Sequence, residues 1–125
     1  MTAEQRFYQQ FRKALPVGAH CVRIETSTES GMPDTNICFD GMERWVELKV
    51  YVSGRVLIRK EQRAWGFRRY VSKGECYILA QHPSGVMHLW KFPNITAIVH
   101  GKYLWVTNAP ILATTDWRVL MGHLF

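Results

Sequence analysis

Apolar residues at Phe7, Phe11 and Ala14 keep the i, i+4, i+7 spacing of one helical face, so residues 2–15 read as an amphipathic helix with Thr2 as N-cap. Pro16–Val17–Gly18 ends it. From His20 to Glu25 the period changes to two. Val22 and Ile24 point inward, and Arg23 and Glu25 point to the other face of a half-buried strand. Residues 26–33 form a polar loop. Asp34–Phe39 reads as a second strand with Ile37 and Phe39 inward, Asp40–Gly41 as a tight turn, and Arg44–Tyr51 as a third strand lying back beside the second.

Residues 60–73 read as a helix with Ala64, Phe67 and Val71 on its apolar side, although Gly66 weakens it by about 1 kcal/mol. Gly74 ends that helix. Cys76–Leu79 and Met87–Phe92 read as strands flanking a Pro83–Ser84–Gly85 turn, and Ile95–Val99 and Tyr103–Val106 as short strands around His100–Gly101. Thr114 or Thr115 caps a last helix carrying Trp117, Leu120, Met121 and Leu124. The expected fold is α/β, a mixed central β-sheet flanked by helices, in one domain spanning residues 1–125.

Charge sharpens this picture. Seven basic residues between Arg55 and Lys73 stand against Glu61 alone, so this stretch carries the whole net charge of +6 and the rest of the chain balances to zero. Such a patch attracts a polyanion by counterion release and steering, although a charge run is also what a solvated helix face looks like. On a helical wheel Gln62, Arg69 and Lys73 fall within ~40° of one another, opposite the apolar side. With Arg59, Lys60 and Arg63 they make a basic ridge expected to contact phosphates. Tyr51, Trp65 and Tyr70 are candidates for stacking on bases, with packing as the commoner role of such aromatics.

Composition excludes several classes. The chain is 47% apolar and 21% charged, which is globular and not disordered. No apolar run reaches the ~18 residues of a membrane span, and the first residues lack a signal-peptide core. Cys21, Cys38 and Cys76 are widely spaced and odd in number, which argues against a disulfide framework and for a reducing, cytoplasmic compartment. The histidines show no zinc-site spacing.

The chemistry concentrates on the second and third strands. With Val46, Leu48 and Val50 in the core, Glu47 and Lys49 share the other face. Folding about Asp40–Gly41 pairs residues 39 and 42, which brings Asp34 roughly opposite Glu47. Two carboxylates at one sheet position are unfavourable unless a cation sits between them. A hard divalent ion with open water positions, Mg²⁺ above all, suits that pair. It would activate water and stabilise charge on a phosphoryl oxygen, with Lys49 orienting the water or neutralising developing charge.

Gly31–Met32–Pro33–Asp34 followed by Glu47–Leu48–Lys49 resembles the signature of the PD-(D/E)XK nuclease superfamily, whose core is restriction-endonuclease-like. Arg23–Ile24–Glu25 before the loop, and Gln62 opening the later helix with Trp65 one turn on, are similar to the VRR-NUC and phage Holliday-junction-resolvase-like branch. The likeness spans about residues 4–80. It implies a Mg²⁺- or Mn²⁺-dependent phosphodiesterase acting on DNA. Asp34 and Glu47 would then bind the metal, the Leu48 carbonyl add a ligand, Lys49 aid the water and Gln62 support the site. Glu4, on the inward stripe of the first helix, and Glu25 compete for a further acidic position.

The resulting expectation is a DNA endonuclease using metal-activated water, with no organic cofactor. One site in so small a chain leaves little surface for a branched substrate. A homodimer directed to Holliday-junction-like DNA, in a phage or mobile-element setting, follows by analogy. The alternative is a non-catalytic DNA-binding or host-protein-binding module on the same fold. Residues 95–125 carry no assignable chemistry; their aromatic content suits core packing or a subunit interface.

Overall fold

The computed structural model describes residues 1–25 and 29–125. Helix α1 (Ala3–Ala14) begins at a capping box: the Gln5 amide N–H donates to Thr2 Oγ1, and Gln5 Oε1 accepts from the Thr2 amide. Strands β1 (His20–Arg23), β2 (Thr35–Phe39) and β3 (Met42–Val50) form an antiparallel meander. After β4 (Leu57–Ile58) and helix α2 (Lys60–Val71), β5 (Cys76–Gln81) pairs in parallel with β3. β6 (Met87–Lys91) and β9 (Leu112–Thr114) extend the sheet to the order β1-β2-β3-β5-β6-β9. A smaller sheet, β4-β8-β7, contains β7 (Ala97–His100) and β8 (Tyr103–Val106), and helix α3 (Trp117–Leu124) closes the chain.

The large sheet is covered on both faces. On one, Phe7 and Phe11 of α1 and Leu120 and Leu124 of α3 pack on Ile37, Val46, Leu48, Leu79 and Leu89. On the other, Trp65 of α2, Phe92, Ile95 and the small sheet's Ile58 and Leu104 pack on Trp45, Ile78 and Trp90. The candidate chemistry lies where β1, β2 and β3 meet the start of α2.

Several expectations are corrected. Val22 is exposed and only Ile24 packs inward, because β1 is the sheet's edge strand and little covers its outer end. Helix α2 stops at Val71; Ser72 caps it and Lys73 turns into the left-handed region at φ 70°, so Lys73 is not on the helix. Its buried side is Gln62, Trp65 and Gly66, while Ala64 is exposed and Val71 is 74% exposed. Gly66 decides this: a Cβ there would overlap the Phe92 ring, so its bareness admits an aromatic and turns that face inward. Ile95 is buried ahead of β7 and not part of it. α3 is capped by Asp116, whose Oδ1 accepts from the Arg118 amide at 2.8 Å, and not by Thr114 or Thr115. The two shortest strands, β4 and β9, fall below any periodic signal.

Candidate active site

The turn at Asp40–Gly41 sets the register. Both residues take positive φ, 51° and 75°, and Phe39 pairs with Met42. The ladder runs back to Thr35↔Val46, and one step further places Asp34 beside Glu47. The two carboxylates are laced to each other's backbone: the Asp34 amide donates to Glu47 Oε1 at 3.1 Å, and the Leu48 amide donates to Asp34 Oδ1 at 3.1 Å. Thr35 Oγ1 donates to the same Asp34 oxygen at 3.0 Å. Lys49 Nζ stands 3.6 Å from Glu47 Oε2, and Arg23 Nη2 is 3.9 Å from Asp34 Oδ2.

The loop before Asp34 is held from the other side. Gly31 has φ 83°, and a Cβ there would collide with the Glu61 backbone, so Gly31 lies directly on the first turn of α2. Pro33 is buried. In α2, Gln62 Oε1 accepts from the Arg59 amide at 2.8 Å, which leaves the amide nitrogen as the end of Gln62 available to the site. Gln62, Asp34, Glu47, Arg59 and Glu25 line one cavity of about 480 Å³.

Burial pushes both acids up. Asp34 is raised by desolvation against the opposing pull of the Leu48 amide and Arg23. Glu47 is pushed up to about 7, first by desolvation and then by the Asp34 charge, with Lys49 pulling the other way. Lys49 and Arg23 offset the pair's charge only in part, since both acids stay raised, and the carboxylate oxygens are hard donors. The Leu48 carbonyl is a candidate third oxygen. The Trp45 and Tyr51 amides donate to β5, so by alternation Leu48 turns its amide and carbonyl toward β2, where the ladder has already ended. Two carboxylates and a peptide oxygen suit Mg²⁺ or Mn²⁺.

Among the described residues no group of three or more His, Cys, Asp or Glu side chains could hold a metal ion. Glu4 is exposed on the first turn of α1 and acts on Glu47 only through its charge. Glu25 is exposed at the cavity rim.

The expected basic ridge is not one surface. Arg69 lies under the helix with its guanidinium 4.6 Å from the Trp65 ring and 5.4 Å from that of Trp45. Arg63 sits over Phe67, and Lys73 lines a separate cavity with Tyr70 and Lys91. Arg59 and Lys60 are exposed at the start of α2, and Arg59 lines the carboxylate cavity. Trp65 is buried and cannot stack on a base. Thr35 was not singled out by the sequence, and only its place directly after Asp34 could have pointed to it.

No protein-family model and no curated protein matches the chain, so the finer likeness to the VRR-NUC branch rests on the motif residues alone. Among solved structures the chain is similar to Hjc of Archaeoglobus fulgidus, a Holliday junction resolvase from an archaeal hyperthermophile. The TM-score is 0.59 at 12% identity, over 84% of this chain and 85% of that one. At that identity the likeness is one of fold: the chain is a mixed α/β protein whose helix-flanked central sheet matches that of the archaeal resolvase.

Proposed function

We propose that the chain is a divalent-cation-dependent DNA endonuclease that hydrolyses phosphodiester bonds at Asp34, Glu47 and Lys49, with four-way or otherwise branched DNA as its substrate. The observation that carries this reading is the interlocked pair of half-buried carboxylates with Lys49 Nζ 3.6 Å from Glu47. The resolvase that shares the fold supports DNA as the partner and a junction as the substrate. Two sites on a homodimer would suit a branched substrate.

Asp34 and Glu47, with the Leu48 carbonyl, would hold Mg²⁺ or Mn²⁺. When bound, the ion supplies Lewis acidity toward a phosphoryl oxygen and a water of lowered pKa. The chain's own groups do the rest. The Leu48 amide and Thr35 hydroxyl fix the Asp34 carboxylate in one orientation. Lys49 sets positive charge beside Glu47, where it can neutralise charge developing on a non-bridging phosphate oxygen. Gln62, whose Oε1 is taken by the Arg59 amide, lines the same cavity and has its amide nitrogen left as a donor.

The test is a cleavage panel of labelled linear, flapped and four-way DNA with Mg²⁺, Mn²⁺ or EDTA. Cleavage is expected with metal and not with EDTA. Asp34→Asn and Lys49→Ala should each lose about a hundredfold or more in rate. Asp34→Asn should still bind DNA. A purified protein that binds DNA but cuts none of these substrates with either metal would instead be the non-catalytic module.

A further inference from the structure

A second cavity lies next to the carboxylate site. It has a volume of about 650 Å³ and is lined by Gln5, Tyr8, Gln9 and Arg12 of α1 together with Arg23 and Glu25. The four α1 residues follow i, i+3, i+4, i+7 and form a polar stripe beside the buried Phe7 and Phe11. Glu25 lines both this groove and the carboxylate cavity, so the two meet at the open end of β1, the edge strand.

The groove is short of negative charge. The Arg23 guanidinium stacks 4.4 Å from the Tyr8 ring and reaches Asp34 only at 3.9 Å, too far for a hydrogen bond, while its Nη1 is buried without a partner. Arg12 is exposed and makes no ion pair among the described residues. Arg12 and Arg23 line this one groove together with Tyr8. The lining carries two guanidiniums against the Glu25 carboxylate, a net positive charge that suits an anion. Gln5 gives its Oε1 to the capping box, so what it offers the groove is its amide nitrogen, a donor.

We propose that this α1 groove binds the DNA backbone as it leaves the carboxylate site around the end of β1, with Arg12 and Arg23 contacting a phosphate that flanks the scissile one. The inference rests on the nuclease reading for its substrate. It moves the phosphate track from the basic segment of α2, whose Arg69 is occupied by tryptophans, to α1, which carries Arg6, Arg12 and Lys13 against Glu4.

The experiment measures binding of labelled duplex and four-way DNA by fluorescence anisotropy in EDTA across a NaCl series, and KM and kcat with Mg²⁺. The variants are Arg12→Gln, Arg12→Glu, Gln9→Ala and, as a remote control, Lys102→Gln. Arg12→Gln should weaken binding severalfold and lower the magnitude of the log K–log salt slope by about one. Arg12→Glu should weaken it further, with a rise in KM larger than the fall in kcat. The control should match the parent. Parent-like affinity and slope for both Arg12 variants and for Gln9→Ala would overturn the groove while leaving nuclease activity intact. DNA bound through Arg12 but never cut would overturn the nuclease reading and keep the groove. Arg12 is exposed, so matching thermal unfolding will show that the variants fold.

Discussion

Glu47 keeps its proton up to about pH 7 because burial and the neighbouring Asp34 oppose its charge, whereas in an unfolded chain it loses the proton near 4.5. Between these values the native state binds more protons than the unfolded state. The contribution of Glu47 to stability is therefore full below about 4.5 and is lost as pH rises through about 7. The metal-free protein should melt at a lower temperature at pH 8 than at pH 5.5, and Glu47→Gln should narrow the gap. A divalent cation takes the place of the proton, so Mg²⁺ should raise the parent's melting temperature more at pH 8 than at pH 5.5 and do little for Glu47→Gln. Equal pH dependence in parent and variant, by calorimetry in EDTA, would show that the pair is not under this strain.

At the level of elements, the hairpin was legible and α2 was not. The hairpin has a period of two, a turn with one well-defined residue pair, and a register that follows from counting, so the meeting of Asp34 with Glu47 could be read in advance. α2 offers weaker apolar periodicity: Phe67 and Val71 suggest one face, and Trp65 with Gly66 suggests another. What decides is a contact with Phe92, distant in sequence, which no local pattern contains. The same face holds Arg69 between tryptophans, so Arg69→Ala should destabilise the fold by about 1–2 kcal/mol through lost cation–π contact and stem packing and leave the salt slope of DNA binding nearly unchanged. Gly31 belongs to this level too, since it seats the loop before Asp34 on the first turn of α2. Gly31→Ala combines a left-handed backbone with a collision against main chain and should cost about 2 kcal/mol or more. It should also lower cleavage, by moving Asp34. A variant with parent stability in urea would refute the close approach.

Across the whole molecule, the two faces of the large sheet divide the work. Glu47 and Lys49 project on the side of α2, while α1 and α3 close the opposite side around Phe7, Phe11, Leu120 and Leu124. Trp117 adds ring contacts to Phe7 at 5.9 Å and to Phe11 at 6.3 Å, and Arg44 Nε donates to the Leu124 carbonyl at 2.7 Å. The aromatic C-terminal residues are thus core, in part, which their composition had allowed without deciding. A domain of this size has about 5–15 kcal/mol of stability, and Leu→Ala at a fully buried site removes about 2–5. Leu120→Ala should therefore lower the denaturation midpoint strongly. The carboxylate pair depends on the β2–β3 hydrogen-bond register and on the α2 turn across the sheet, so cleavage by the folded fraction at low temperature should stay near the parent rate. A comparable loss of rate in protein shown to be folded by circular dichroism would mean that α3 reaches the site through the sheet, and that the separation of core from chemistry does not hold.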